Sequence, residues 1–267
     1  WLKRNQIQQL KGSNSRKRIS IEAGAALPPS NMLGAPADWE HLPTKASSML
    51  ELRSLHYHPA TAAQPVLRGL NLQLPAGKPA LVAGRSGSGK STLLELICGL
   101  AEPTGGRSGG SILWNGAVLS ARQRRWLCGL LFQFPERHFL GLSVGQELKL
   151  GQRRVPSEKV EAVLHQVGLD GLSLQQAPEA LSGGQQRRLA LAVQLLRNPK
   201  VLLLDEPTAG LDWSVRGEIL DLLAQLGRER VLLVVTHEPE LFEAWVAPEQ
   251  RYRLEGGLLQ PLESAVR

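Results

Sequence analysis

The sequence predicts an α/β fold: a mainly parallel sheet core, an antiparallel β layer in front of it and a helical subdomain inserted into it. Three observations carry this. Short apolar runs such as "PALVAG", "VLLLDEP" and "VLLVVTHE" alternate with helical spacing, the rhythm of buried parallel strands covered on both faces. Two segments ahead of them alternate apolar and polar residues, as half-exposed strands do. Residues 134–198 carry hardly any strand pattern.

Taken in order, "LELRSLHY" and "PVLRGLNLQL" predict an antiparallel pair, with "HPATAAQ" as the turn. "PALVAG" is a buried strand running into a glycine loop, and "KSTLLELICGL" is a helix closed near Gly99. "GSILWNG" and "LCGLLFQF" read as strands around a polar connection containing Arg122, Arg124 and Arg125. "SVGQELKL", "SEKVEAVLHQVGL" and "QQRRLALAVQLLRN" are the helices of the inserted block. Strand "VLLLDEP", helix "SVRGEILDLLAQLG", strand "VLLVVTHE" and helix "PELFEAWV" restore the α/β rhythm. A hairpin, "RYRLEGGLLQ", closes it with its turn at Gly256 and Gly257, so the folded domain is expected over 49–262.

The 267 residues, 42% apolar and 21% charged, are enough for a sizeable core. No run approaches the roughly 18 consecutive apolar residues of a membrane span. Cys98 and Cys128 have neither a disulfide framework nor metal-ligand spacing, and are expected to fill core in a reducing compartment. The net charge of +7 is uneven: residues 1–48 hold seven of the 31 Lys+Arg and three of the 24 Asp+Glu, leaving 24 against 21 in the remainder. That stretch is rich in Ser, Asn, Gln, Pro and Gly and is expected to be poorly ordered. It reads either as a plastid transit peptide or as an extension upstream of a natural start at Met49.

"GRSGSGKST" sits between a predicted strand and a predicted helix, the context that G-x-x-x-x-G-K-[ST] requires. Gly84, Gly87 and Gly89 let the backbone wrap, and Arg85, Ser86, Ser88 and Thr92 lie within the same cradle of amides. Lys90 is placed to bridge phosphate oxygens and Ser91 to offer a hydroxyl to Mg²⁺. Four apolar residues of "VLLLDEP" form a strand whose end delivers Asp205 to the metal shell, and Glu206 follows as a candidate general base for attack by water. ATP and Mg²⁺ are the ligands this chemistry calls for. A second glycine cluster, "LSGGQ", then needs a purpose, because one nucleotide needs one cradle.

The phosphate loop, Gln133, "LSGGQ", "VLLLDEP", "GLD" and His237 resemble, in order and spacing, the ATP-binding cassette (ABC) ATPases, over residues 50 to about 260. The fold this implies is the phosphate-loop NTPase fold of that family. The resemblance also implies two such domains packed head to tail, with Ser182, Gly183, Gly184 and Gln185 of one closing over ATP held by the other. It makes Gln133 a contact to Mg²⁺ and the attacking water, Tyr57 the aromatic stacked on adenine, and His237 the switch that touches the γ-phosphate and holds Glu206. Asp212 becomes the residue crossing the seam; Trp213 beside it departs from the small residue or proline common there.

DNA-maintenance relatives carry long coiled coils or zinc modules, and ribosomal relatives carry two cassettes, so a transporter ATPase lacking its own membrane part is the expected class. "FQFPERHFLGLSVGQEL" resembles the stretch after the catalytic glutamine in energy-coupling-factor (ECF) and cobalt-type importers, which implies that Phe134, Phe139 and Leu140 meet a membrane subunit; internal packing of the helical subdomain is the other reading of the same three residues. The expected partners are therefore a membrane-spanning transporter subunit and a second ABC ATPase, a copy or a paralogue, and no nucleic acid. The location implied is the cytoplasmic face of a bacterial membrane or the stromal face of a plastid envelope. The competing class, a nucleic-acid-linked ABC ATPase, is motivated by the basic N-terminal stretch and by Arg122, Arg124 and Arg125.

Overall fold

A computed structural model describes residues 48–101, 109–152 and 154–262. The expectations for residues 1–47 lie outside these.

The described residues build two sheets. In the first, β1 (Met49–Tyr57) pairs antiparallel with β2 (Leu67–Pro75) and with β4 (Gly109–Trp114), and β5 (Ala117–Val118) extends β4. The second holds β3 (Ala80–Ala83), β6 (Cys128–Leu131), β7 (Val201–Asp205), β8 (Val231–Thr236), β9 (Arg251–Glu255) and β10 (Leu258–Pro261) in the order β10-β9-β3-β8-β7-β6. Its strands are parallel except β10, the return arm of the closing hairpin.

Successive residues on a strand face opposite ways, and here that period divides one sheet between two cores. Leu81, Leu202, Leu204, Leu232 and Val234 join the core beneath helices α3 (Val144–Lys149), α4 (Ser157–Gln166), α5 (Gly183–Leu196) and α6 (Trp213–Leu226). Their neighbours Ala80, Val82, Val201, Leu203, Val231, Leu233 and Val235 face α1 (Lys90–Cys98) and the antiparallel sheet. Burial on both sides is why these strands read as unbroken apolar runs. The expected helical block thus shares its core with one face of the parallel sheet.

Two expectations change. The Arg-rich connection is a helix, α2 (Ala121–Leu127), started by a capping box in which Ser120 and Gln123 satisfy each other's amides. Arg124 is buried and donates to the Leu119 carbonyl, whereas Arg122 and Arg125 are exposed; Arg125 donates at 2.7 Å to the carbonyl of Gly99, just past the C-terminus of α1, where a cation is favoured. "PELFEAWV" forms only a 3-10 turn, Pro239–Phe242, followed by irregular turns. Phe242 is fully buried against Trp245, edge to face, and this packing supplies the helix-like apolar spacing without a regular helix.

Candidate functional site

The glycine loop leaves the end of β3 and enters α1. Gly87 and Gly89 have φ of 79° and 100°, a region that costs side chains heavily. A Cβ at Gly84 would lie 2.8 Å from the Leu254 carbonyl oxygen of β9, so the close turn excludes any larger residue. Lys90 is buried, and its Nζ donates to the carbonyls of Gly84 (2.8 Å) and Arg85 (3.2 Å). It also lies 3.5 Å from Glu206 Oε1.

Asp205 ends β7, and Glu206 follows with φ of 46°. A left-handed glutamate stores about 1–3 kcal/mol of strain and persists only where its surroundings over-determine it. Here the surroundings are explicit. Glu206 Oε2 accepts from Thr236 Oγ1 (2.9 Å), from the His237 amide (3.2 Å) and lies 2.9 Å from His237 Nδ1, while its own amide donates to Val235. Thr236 ends β8 wholly buried, and its hydroxyl also accepts from the Glu238 amide. Neighbouring parallel strands β7 and β8 therefore present the carboxylate and the groups that aim it.

Burial pushes the Asp205 carboxyl above its usual range; Ser91 and Lys90 pull it down, and neighbouring Glu206 adds to the rise. Two adjacent carboxylates facing one lysine leave negative charge to be compensated. Ser91, hydrogen-bonded to Asp205, and Gln133, just past β6 on the same cleft, complete an oxygen donor set that suits a hard divalent cation. Among the described residues no cluster of three or more His, Cys, Asp or Glu would hold a metal alone, so a cation here would draw most ligands from water and phosphate.

One cleft of about 650 Å³ is lined by Arg85, Ser86, Gly87 and Gly89 to Thr92 of the loop, with Gln133, Asp205, Glu206, His237 and Val66, while Gly84 and Ser88 line a neighbouring one. Tyr57 packs on the core at the end of β1, and its carbonyl accepts from Val66, so the wall beside the loop carries Val66 with Tyr57 behind it.

"LSGGQ" lies elsewhere. Ser182, Gly184 and Gln185 border a second cleft of about 720 Å³ with Arg188, Val215 and Glu218, and the two clefts share no residue. Ser182 caps α5 in a second capping box: its amide donates to Gln185 Oε1 and its hydroxyl accepts from the Gln185 amide. Of the expected free donors, Ser182 and Gln185 are therefore self-satisfied, which leaves the first-turn amides of Gly183, which is exposed, and Gly184, which is buried. A side chain on Gly184 would overlap Val215, whereas one on Gly183 would meet nothing in this chain. Asp212 is exposed at the start of α6 without capping it, beside Trp213 at 83% exposure.

Three residues escape motif reading. Thr236 is one. Arg187, buried on α5, donates to the Ala209 carbonyl and is drawn toward Glu136, while burial lowers its affinity for the proton. Glu147, buried on α3, accepts from the amides of Leu140 (2.8 Å) and Gly141 (2.7 Å). It thereby pins a loop on which Leu140 and Leu142 stand 76% and 84% exposed, whereas Phe139 turns inward on the core. An Arg or Glu inside an apolar helical period is the only signal the sequence offers for either.

A family model described as ABC transporter matches residues 67–209. The chain is 38% identical over 229 residues to "ABC transporter I family member 11, chloroplastic" of Arabidopsis thaliana, covering 79% of this chain and 80% of that one. It is 39% identical over 191 residues to "Energy-coupling factor transporter ATP-binding protein EcfA2" of Symbiobacterium thermophilum, covering 67% of this chain and 65% of that one. Its fold matches cbiO1 of Clostridium perfringens, part of the ABC transporter complex cbiONQ, with a TM-score of 0.70 and 27% identity over 80% of this chain and 87% of that one.

Proposed function

Because this chain belongs to the ABC transporter ATPases, we propose that it works as one of two head-to-tail cassettes beneath a separate membrane-spanning subunit, coupling ATP hydrolysis to dimer closure and opening. The observation that carries this reading is the division of labour within one chain. Glu206 is aimed by Thr236 and His237 in one cleft, while Ser182, Gly184 and Gln185 of the signature border another.

ATP phosphates entering the loop offer Lys90 stronger acceptors than the carbonyls of Gly84 and Arg85 that it now serves. Water attacks the γ-phosphorus, the bridging oxygen leaves with ADP, and the water proton passes to Glu206. Thr236 and His237 keep that carboxylate oriented; Gln133 positions the water; Tyr57, at the end of β1, stacks on adenine. Mg²⁺, held by Ser91 with Asp205 and Gln133 nearby, would supply charge neutralisation on the β and γ oxygens. Gly183 and Gly184 of the neighbour face the γ-phosphate, with the positive end of α5 behind them and Asp212 at the seam. Loss of phosphate removes the attraction that holds the pair closed.

The docking surface for the membrane subunit is the pinned loop, where Leu140 and Leu142 are exposed apolar residues on a rigid support. Gln133-Phe134-Pro135-Glu136, with the ECF and cbiO1 relatives, supports an ECF-type importer of a vitamin or metal ion. None of the helices among the described residues is long and apolar enough to cross a membrane, and the proposed location is peripheral, on the cytoplasmic face or, as the chloroplastic relative suggests, the stromal face. The burial of Arg124 and the tie from Arg125 to the Gly99 carbonyl support transport over a nucleic-acid role for this arginine run.

Glu206→Gln tests the chemistry: ATP binding is retained, turnover falls by about 10² to 10⁴, and an ATP-dependent dimer accumulates. Hydrolysis at the wild-type rate would overturn the assignment of the base.

A further inference from the structure

Two loops meet around Glu206. One leaves β7: the Ala209 amide donates to the Glu206 carbonyl and the Leu211 amide to the Thr208 carbonyl, two overlapping turns that run up to α6. The other leaves β8 through Thr236, His237 and Glu238. Thr236 and His237 hold Glu206 Oε2, and the Glu238 amide donates to the Thr236 hydroxyl. At the strand ends the loops are tied together by the bond from the Glu206 amide to Val235. A loop tied at one end pivots about that tie unless a second contact fixes it further along.

Arg216 makes that second contact. It stands on the first turn of α6, where its amide donates to the Asp212 carbonyl, and its side chain reaches both loops. Nη2 donates to the Leu211 carbonyl at 3.5 Å, and Nη1 lies 3.5 Å from Glu238 Oε1. Glu238 precedes the 3-10 turn Pro239–Phe242, yet its carboxylate caps no amide there and is turned to Arg216 instead. A planar guanidinium can hold a carbonyl and a carboxylate at once in a fixed fork. Both contacts are long, so a few tenths of an ångström in either loop strengthens or breaks them, and bonds around a catalytic group commonly tighten when substrate binds. The two side chains are 22% and 30% exposed, and a pair so placed contributes little to stability. What it can set is geometry.

We propose that Arg216 is a positioning residue for ATP hydrolysis: by joining the Leu211 carbonyl to Glu238 it closes a ring of contacts that begins and ends at Glu206. The ring fixes where Thr236 and His237 hold the carboxylate. This rests on the reading of Glu206 as the base.

The test measures ATP turnover, ATP affinity and thermal melting of the full chain. Arg216→Gln should lower kcat by about tenfold, the scale of a small misplacement of a reacting group, and leave the ATP KM and the Tm nearly unchanged. Glu238→Gln should do the same, and the double variant should be no slower than either single one, because both break one contact. Arg216→Lys, which keeps the charge beside Glu238, should recover part of the loss. Should Arg216→Gln fail to fold, Glu238→Gln carries the expectation. A kcat within about twofold of wild type in the folded variant, or losses that multiply in the double one, overturns the role. Wild-type turnover in Glu206→Gln overturns the base and this role with it; an inactive Glu206→Gln beside a fully active Arg216→Gln overturns this role alone.

Discussion

Thr236→Val removes one hydroxyl and almost no volume, at a position with no solvent exposure. In the wild type that hydroxyl donates to Glu206 Oε2 at 2.9 Å and accepts from the Glu238 amide at 3.0 Å. A hydrogen bond to a charged group contributes about 1.5–3 kcal/mol. A donor to the carboxylate is strongest while Glu206 is charged, so the bond acts by aiming the base; with that aim lost, kcat falls by about tenfold to a hundredfold and the ATP KM stays nearly unchanged. The Glu238 amide, left without its acceptor, costs about 1–3 kcal/mol of stability and lowers Tm by several degrees. Single-turnover ATP hydrolysis and thermal melts are measured for Thr236→Val, Glu206→Gln and the double variant. Because Thr236 acts through Glu206, the hydroxyl should matter far less once Glu206 is Gln. A wild-type kcat in Thr236→Val, or the same fold loss in both backgrounds, refutes the claim that Thr236 aims the base.

The two signature glycines separate fold from function. Gly184→Ala overlaps Val215 and should lose about 1–3 kcal/mol of stability by denaturant titration, whereas Gly183→Ala meets nothing in its own chain and should keep its stability while losing ATPase activity. Asp205→Asn should raise the Tm of the nucleotide- and cation-free chain at neutral pH. A carboxyl raised in the folded state binds more protons there than when unfolded, so its penalty is complete at neutral pH and fades as pH falls through that raised value; a less stable variant at pH 7 contradicts this. In mixed dimers, Ser182→Arg on one subunit should impair the site whose Lys90 lies on the other; damage to the mutant's own phosphate loop would break the head-to-tail reading.

What could be read beforehand and what could not divides by range. The parallel strands, their order in the chain and the glycine loop announce themselves through local pattern, because "VLLLDEP" must be buried on both sides and Gly89 must adopt a φ of 100°. Helix α2 is hidden in the sequence by its arginine run, since only the fold shows that Arg124 is buried and that Arg125 binds the Gly99 carbonyl. "PELFEAWV" has helical spacing, yet Phe242 reaches the core from a 3-10 turn. At the site, Lys90, Asp205 and Glu206 follow from motif chemistry. Thr236 and Arg187 gain their roles only when β8 meets β7 and α5 meets Ala209, contacts that no neighbouring residue encodes.

The anchoring of Leu140 and Gly141 on Glu147 has a mechanical corollary. Glu147 belongs to α3, which packs on α5, the helix that begins at Ser182. A displacement of the exposed leucines would therefore be felt first by Glu147 and then, through the packing of α3 on α5, by the helix that opens at Ser182, so one buried carboxylate links an exposed loop to the signature segment.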